Sequence, residues 1–97
     1  MATLTIIGIV GNRNSQEFNK LTPMILEYME NPQTQFIFSD REILAARFLD
    51  ARKFRRCLIY HTGDTPKHRI GGYPTRAGFL SYAEIEAAIK TEANFVI

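Results

Sequence analysis

The chain contains no tryptophan and only one cysteine, Cys57, among 97 residues. One cysteine forms no internal disulfide, and because Cys57 lies in an apolar run we expect a reduced, buried side chain. The chain also lacks an apolar run of about 18 residues and the basic, apolar and small-residue regions of a signal peptide. We therefore expect a cytoplasmic protein with no membrane partner.

A strong excess of either charge is also missing, since twelve basic and ten acidic residues leave a net charge of +2. This balance is a weak argument for nucleic-acid binding, so a nucleic-acid partner is not expected. The basic run at 52–56 is typical of a solvated helix C-terminus. The length, with a composition that is 45% hydrophobic, predicts a single domain spanning residues 1–97.

Apolar runs and helical periodicities alternate along the chain. We predict strands at 3–10, 34–38, 57–60 and 93–97, and helices from about 17 or 22 to 30, after Ser39 to about 55, and after Ser81 to about 92. Ser39 with Glu42, and Ser81 with Glu84, match the S-x-x-E capping box. This order predicts an α/β domain of minimal Rossmann-like, three-layer type, with a mainly parallel sheet of about four strands. Residues 61–80 show no clear period, which predicts a long functional loop.

Ligands of open parallel sheets bind beyond the carboxyl ends of the strands, where loops meet the N-termini of helices. The segment after the first strand is Gly11, Asn12, Arg13 and Asn14. Its glycine allows close backbone approach to a ligand, its arginine suits a phosphate, and its second asparagine suits a helix cap. At the end of the second strand lie Ser39 and Asp40, for which helix capping is the simpler explanation.

The long loop combines glycines, prolines, cations and an aromatic ring, which suits a phosphorylated molecule that carries a base. Its candidate ligand-binding residues, with those of the preceding strand, are Tyr60, His61, Asp64, Lys67, His68, Arg69, Gly71, Gly72, Tyr73, Thr75 and Arg76. Tyr60 or Tyr73 is expected to stack the base. The spacing of the two histidines and Asp64 matches no familiar metal site, so no metal or cofactor is predicted.

The strand and turn at 6–14, ending in Val-Gly-Asn-Arg, resemble the opening of the SLOG superfamily, whose first strand ends in a V-G-S-R-like turn. Gly63-Asp64-Thr65-Pro66, the stretch 71–75 and the helix at 84–93 are similar to small bacterial and phage SLOG-like proteins. This Rossmann-like superfamily includes the Lonely-guy phosphoribohydrolases. The chain lacks both the G-G-A-x-G-x-D segment after strand two and the P-G-G-x-G-T-x-x-E element that supplies the catalytic glutamate in Lonely-guy enzymes.

The resemblance implies binding without catalysis of a nucleotide-derived small molecule of the ADP-ribose or cyclic ADP-ribose type. It also suggests a phage protein that sequesters an antiphage signal in the host cytoplasm. Uncovered strand edges predict a homo-oligomer. Two alternatives stay open: a nucleoside or nucleotide hydrolase using Asp64 or Glu42 with His61, and a nucleic-acid or protein interaction module using the basic run at 52–56.

Overall fold

The computed structural model describes residues 4–97. The elements in chain order are β1 (Thr5–Ile9), α1 (Ser15–Asn19), α2 (Thr22–Met29), β2 (Thr34–Ser39), α3 (Ile43–Ala51), β3 (Cys57–Thr62), β4 (Thr75–Phe79), α4 (Tyr82–Glu92) and β5 (Phe95–Val96). The strands form one parallel sheet in the order β4-β3-β2-β1-β5. The predicted α/β fold is confirmed, with one more strand than expected. Thr3, the first residue of the predicted first strand, lies outside the described residues.

Helices cover both faces of the sheet, which gives three layers. Alternate strand residues point to opposite faces, and one set, including Ile7, Phe36 and Ile59, packs against α1, α2 and α3. The other set, including Ile37 and Tyr60, packs against α4. Because β4 and β5 lie at opposite edges, α4 crosses the sheet and is the only helix of the described chain on its face.

A glycine in the middle of β1 allows α4 to lie this close to the sheet. Gly8 is buried, and a Cβ atom built there would lie 2.4 Å from Cγ2 of Ile89 and 3.2 Å from Cβ of Ala93. A contact under about 3 Å is an overlap, so a side chain at residue 8 requires the Ile89 side chain or α4 to move. The absence of a side chain at this position therefore sets the distance between β1 and α4.

The helices differ from the sequence predictions at their ends. Of the two starts predicted for the first long helix, the one at 22 is confirmed, because α2 begins at Thr22 with Pro23 in its first turn, and the separate short helix α1 precedes it. The helix expected to reach residue 55 ends at Ala51. The last strand is shorter than the predicted 93–97 and comprises two residues.

The C-terminus of α3 is a Schellman motif. The N–H of Phe54 donates to the carbonyl of Leu49 at 3.0 Å, and the N–H of Lys53 donates to that of Asp50 at 2.9 Å. Lys53 occupies the left-handed position with a φ of 58°, where glycine is preferred because a Cβ atom is unfavourable there. A lysine at this position therefore costs stability.

Replacing Lys53 with glycine is expected to raise the free energy of unfolding by about 0.5–1 kcal/mol, because relief of the left-handed strain exceeds the entropy cost of glycine. Urea denaturation measures the change. The matched control is Lys20→Gly, since Lys20 follows α1 with an ordinary helical φ of −72°. This control is expected to lose stability by about 0.5–1 kcal/mol. A loss of stability in both variants would contradict the assigned strain.

The strand that sequence analysis missed, β4, lies inside the segment expected to be irregular. Its residues Thr75 and Arg76 pair with Ile59 and Tyr60 of β3, and the register then shifts before Phe79, next to Gly78 with a φ of 102°. The loop proper is therefore 63–74. It joins two parallel neighbouring strands without a helix.

The remaining expectations on burial and membranes are also tested by the structure. Cys57 is free and buried, as predicted, and burial raises the pKa of its thiol to about 12. Within residues 4–97, no helix combines the length and the apolar character that a membrane span requires.

Candidate functional site

The carboxyl ends of β1, β2 and β3 and the start of α4 meet at one edge of the sheet, where two buried carboxylates connect them. Glu42 accepts a hydrogen bond from the backbone N–H of Asn12 at 2.9 Å. Asp40, 3% exposed, accepts from the N–H of Lys67 at 2.6 Å and from the hydroxyl of Tyr82 at 2.8 Å. The structure thus brings together the loop after β1, the end of β2 and the loop after β3.

The loop after β1 is shaped by two residues with positive φ, Gly11 at 108° and Asn12 at 43°. The Arg13 guanidinium donates to the carbonyl of Val10 and so folds back along the loop. Asn14 caps α1, since its side chain accepts from the N–H of Glu17 and the Glu17 carboxylate accepts from the N–H of Asn14. This capping box fixes where the loop ends.

The capping box predicted for Ser39 and Glu42 is wrong. Ser39 is the last residue of β2, and its hydroxyl accepts from the N–H of Arg41 at 3.2 Å within a tight turn. The strand extends one residue further than predicted, so Glu42 takes the N-cap position of α3 and its carboxylate bonds Asn12 instead. No side chain caps α3.

The box predicted at Ser81 and Glu84 forms in part. The Ser81 hydroxyl accepts from the N–H of Glu84 at 3.2 Å, but the Glu84 carboxylate accepts from the N–H of Leu80 at 2.9 Å. Ser81 is the N-cap of α4, as the pattern predicts.

Two concave regions lie at this edge. An open recess of about 280 Å³ separates the loop after β1 from the start of α3. It is lined by Asn12, Arg13, Phe18, Arg41, Glu42, Ile43, Leu44 and Arg47. A tighter cleft against α4, lined in part by Ser39, Tyr82 and Glu86, leaves about 10 Å³ for the centre of a water molecule, which is room for about one water. Arg41 and Glu42 line both regions, so recess and cleft are adjacent.

Three guanidinium groups surround the recess. Arg41 and Arg47 are exposed and Arg13 is half-buried. Within the described part of the chain, none of the three forms an ion pair. Guanidinium groups bind phosphate and carboxylate with paired hydrogen bonds. The recess is therefore suited to a small anion.

Glu42, which lines the recess, has a carboxyl group with a raised pKa. Burial raises the pKa of Glu42 from its ordinary value of 4.5, and the Asn12 hydrogen bond and the charges of Arg13 and Arg41 oppose this effect. The folded protein therefore holds the Glu42 proton to higher pH than the unfolded chain. The stability that this proton contributes is fully present below about 4.5 and is lost as pH rises through the folded pKa.

Replacing Glu42 with glutamine is expected to stabilise the protein more at pH 7 than at pH 4, because the neutral amide removes the buried charge and keeps an oxygen for the Asn12 N–H. Urea denaturation of both proteins at the two pH values measures the difference. Glu30→Gln is the control, since Glu30 is exposed. An equal effect of the Glu42 substitution at both pH values would contradict the assignment.

Tyr73 is not placed to stack a ligand, and that prediction is wrong. Its side chain is fully buried, and its hydroxyl donates to the carbonyl of Phe54 at 2.7 Å. Gly71, with a φ of 72°, lets the loop pass close to Asp50 and Tyr73. The C-terminal end of the loop is thus held in the core, so these residues have a structural role.

Tyr60 is likewise enclosed, at 1% exposure, and it is not available as a stacking surface. Its ring lies 5.2 Å from that of Phe79, and its hydroxyl donates to Glu92. Arg76 donates to the same carboxylate at 2.8 Å. Burial raises the pKa of Tyr60 to about 12. Both residues connect β3 and β4 to α4.

The other predicted residues of this segment are divided between the core and the surface. His61 is 2% exposed, and its Nδ1 lies 3.1 Å from the carbonyl oxygen of Thr62. Thr75 begins β4. The remaining predicted residues are exposed or half-buried: Asp64, Lys67, His68, Arg69, Gly71 and Gly72. Among residues 4–97, His61 makes no hydrogen bond with Asp64 or Glu42, and no cluster of three or more potential metal ligands is present.

Sequence analysis missed three residues of this edge, Arg41, Arg47 and Tyr82. It considered Glu42 only as a helix cap or as a hydrolase residue. Arg47 lies one helical turn after Ile43, the first residue of α3, so a correctly placed helix start predicts that both face the loop. Tyr82 is the first residue of α4. Burial and the Asp40 hydrogen bond raise its pKa, so the phenol stays protonated and donates.

Comparisons with known proteins were made at the level of family models, curated proteins and solved structures. No family model matches this chain, and no curated protein or solved structure is significantly similar to it. The chemistry of the site therefore rests on its own residues.

Proposed function

We propose that this protein binds a phosphate-bearing, nucleotide-derived small molecule in the recess between the loop after β1 and the start of α3. The observation that carries the proposal is the group of three arginines around an open recess of about 280 Å³, none of them in an ion pair within residues 4–97. A concavity lined by guanidinium groups that form no ion pair with a carboxylate favours an anionic ligand.

Glu42 supports a ligand that carries hydroxyl groups as well as phosphate. Its carboxylate lines the recess and is fixed by the Asn12 N–H. A carboxylate among arginines repels phosphate but accepts hydrogen bonds from sugar hydroxyls. The combination favours a phosphorylated ribose over free phosphate. The ADP-ribose or cyclic ADP-ribose type suggested by the SLOG resemblance has both groups.

We further propose that the protein binds its ligand without catalysing a reaction, so that it sequesters the ligand. The hydrolase alternative requires Asp64 or Glu42 to act with His61, and no hydrogen bond links His61 to either in the described residues. The interaction-module alternative requires a free basic run. Three of its arginines instead bond the chain itself, at the carbonyls of Phe48, Gly71 and Thr34.

Calorimetric titration with ADP-ribose, cyclic ADP-ribose and AMP tests the proposal. Arg47→Gln is expected to weaken binding by about tenfold or more, because a charge-assisted hydrogen bond contributes about 1.5–3 kcal/mol. Arg52→Gln, which removes an arginine from the other end of the same helix, is the matched control and is expected to bind as wild type. Mass spectrometry of the released ligand is expected to show it unchanged.

The proposed function fails if none of these ligands binds, or if both arginine variants lose affinity equally. Recovery of a hydrolysed ligand would replace sequestration with catalysis. Because Arg47 and Arg52 are both exposed, neither variant is expected to unfold the protein.

We also propose that the protein self-associates through its edge strands. Within residues 4–97 the outer edges of β4 and β5 pair with no further strand, and Phe95 and Val96 of β5 are 55% and 39% exposed. Exposed apolar edges favour strand pairing with a second copy. We expect light scattering to give the mass of an oligomer and Phe95→Lys to shift the mass towards that of a monomer. A monomeric wild type would contradict the expectation.

A further inference from the structure

The ring of Tyr82, at the carboxyl edge, is half-buried against the core cluster under α4 and is also covered by an exposed arginine side chain. The guanidinium of Arg41 lies over the ring of Tyr82, with its central carbon 3.9 Å from the ring centroid. The ring itself is fixed from the other end, because its hydroxyl donates to the buried carboxylate of Asp40 at 2.8 Å. Tyr82 is therefore a pre-positioned ring with a planar group lying on it.

The covering group is weakly held. Arg41 is exposed, and within residues 4–97 its guanidinium makes no hydrogen bond or ion pair. A cation–π contact at an exposed site contributes only about 0.5–1 kcal/mol. Rotation of the Arg41 side chain away from Tyr82 therefore costs little free energy. Such a rotation would open the tight cleft that the ring lines.

The ring is also adjacent to the proposed anion site. Arg41 and Glu42 line both the recess and the cleft against Tyr82. A phosphate among the arginines of the recess would therefore have this ring beside it. Lys67 adds a second cation, with its Nζ 5.5 Å from the ring centroid.

We propose that Tyr82 stacks the aromatic base of the ligand, and that Arg41 leaves the ring on binding and contacts the phosphate. This inference rests on the proposed function and adds the residue that recognises the base of the ligand. The guanidinium seen on the ring occupies the position that a base takes in the complex. Flat π systems and guanidinium planes are interchangeable partners for an aromatic face.

The test compares AMP with ribose 5-phosphate by calorimetric titration, because the two differ only in the base. Wild type is expected to bind AMP about tenfold more tightly, since stacking on an aromatic side chain contributes about 1–3 kcal/mol per base. Tyr82→Leu is expected to abolish this preference. Tyr82→Phe loses the same Asp40 hydrogen bond but retains the ring, and it is expected to keep the preference.

Several results would overturn the inference. They are equal binding of AMP and ribose 5-phosphate by wild type, an AMP preference that survives in Tyr82→Leu, or unchanged ribose 5-phosphate binding in Arg41→Gln. Binding of ribose 5-phosphate without an AMP preference refutes the stacking role alone. If neither compound binds, the stacking role fails, and the proposed function fails with it only when ADP-ribose and cyclic ADP-ribose do not bind either.

Discussion

Replacing Gly8 with alanine is expected to destabilise the protein by about 1–3 kcal/mol, and replacing it with valine by more. The added Cβ would lie 2.4 Å from Cγ2 of Ile89. Both groups are buried in the layer between β1 and α4, so the overlap is relieved only if the Ile89 side chain or the helix moves within a packed layer. Urea denaturation measures the loss. Because natural domains have only about 5–15 kcal/mol of stability, this is a large effect.

A double-mutant cycle separates this clash from a general effect of alanine in a strand. Ile89→Ala removes the methyl group that meets the new Cβ, although it costs about 2–5 kcal/mol by itself because it leaves a cavity. The double variant is expected to lose less stability than the two single losses added together. Additive losses would show that the Gly8 contact with Ile89 does not limit the position of α4.

Replacing Tyr73 with alanine is expected to cost about 3–5 kcal/mol, as is typical when a large buried aromatic side chain is removed. Tyr73 is fully buried and connects the loop at 63–74 to the core through the Phe54 carbonyl. The loop is therefore expected to open as well, since Tyr73 is the only buried residue between 63 and 74. Urea denaturation measures the stability, and tryptic cleavage after Lys67 and Arg69 measures exposure of the loop.

Two further variants, one at Tyr73 and one at Leu80, provide controls. Tyr73→Phe keeps the ring and leaves the Phe54 carbonyl without its partner, so it is expected to cost about 1–3 kcal/mol. Leu80→Ala removes an apolar side chain that is 91% exposed, and it is expected to change stability by less than about 0.5 kcal/mol. If Tyr73→Ala were as stable as Leu80→Ala, the loop would not depend on its aromatic residue.

The parts of the fold that sequence analysis predicted are those whose signal is local. The β-branched run of β1 and the helical spacing of Ile85 and Ile89 in α4 identify buried elements without knowledge of their partners. The edge strand β4 has no such signal. Its sequence is Thr-Arg-Ala-Gly-Phe, and most of these side chains are exposed, so its strand conformation comes from pairing with β3.

The candidate site was predicted in part for a related reason. The loop Gly11 to Asn14 follows a clear strand, so its place at the carboxyl edge follows from the parallel fold alone. The role of Arg47 depends on the start of α3, and the misassigned cap at Ser39 shifted that start. The burial of Tyr60 and Tyr73 depends on tertiary packing, because aromatic residues in a polar loop have no sequence feature that separates a core anchor from a ligand contact.

The strand order has a consequence for how the chain folds. β1 pairs with β2 across 29 residues, from Thr5 to Thr34, but its contact with the segment before β5 joins Ile6 to Asn94 across 88 residues. Closing the longer chain loop costs about 1 kcal/mol more in entropy. We therefore expect β1 to β4 to assemble first. In that intermediate the outer edge of β1 is unpaired. We expect β5 to pair with it only after α4 packs over Gly8.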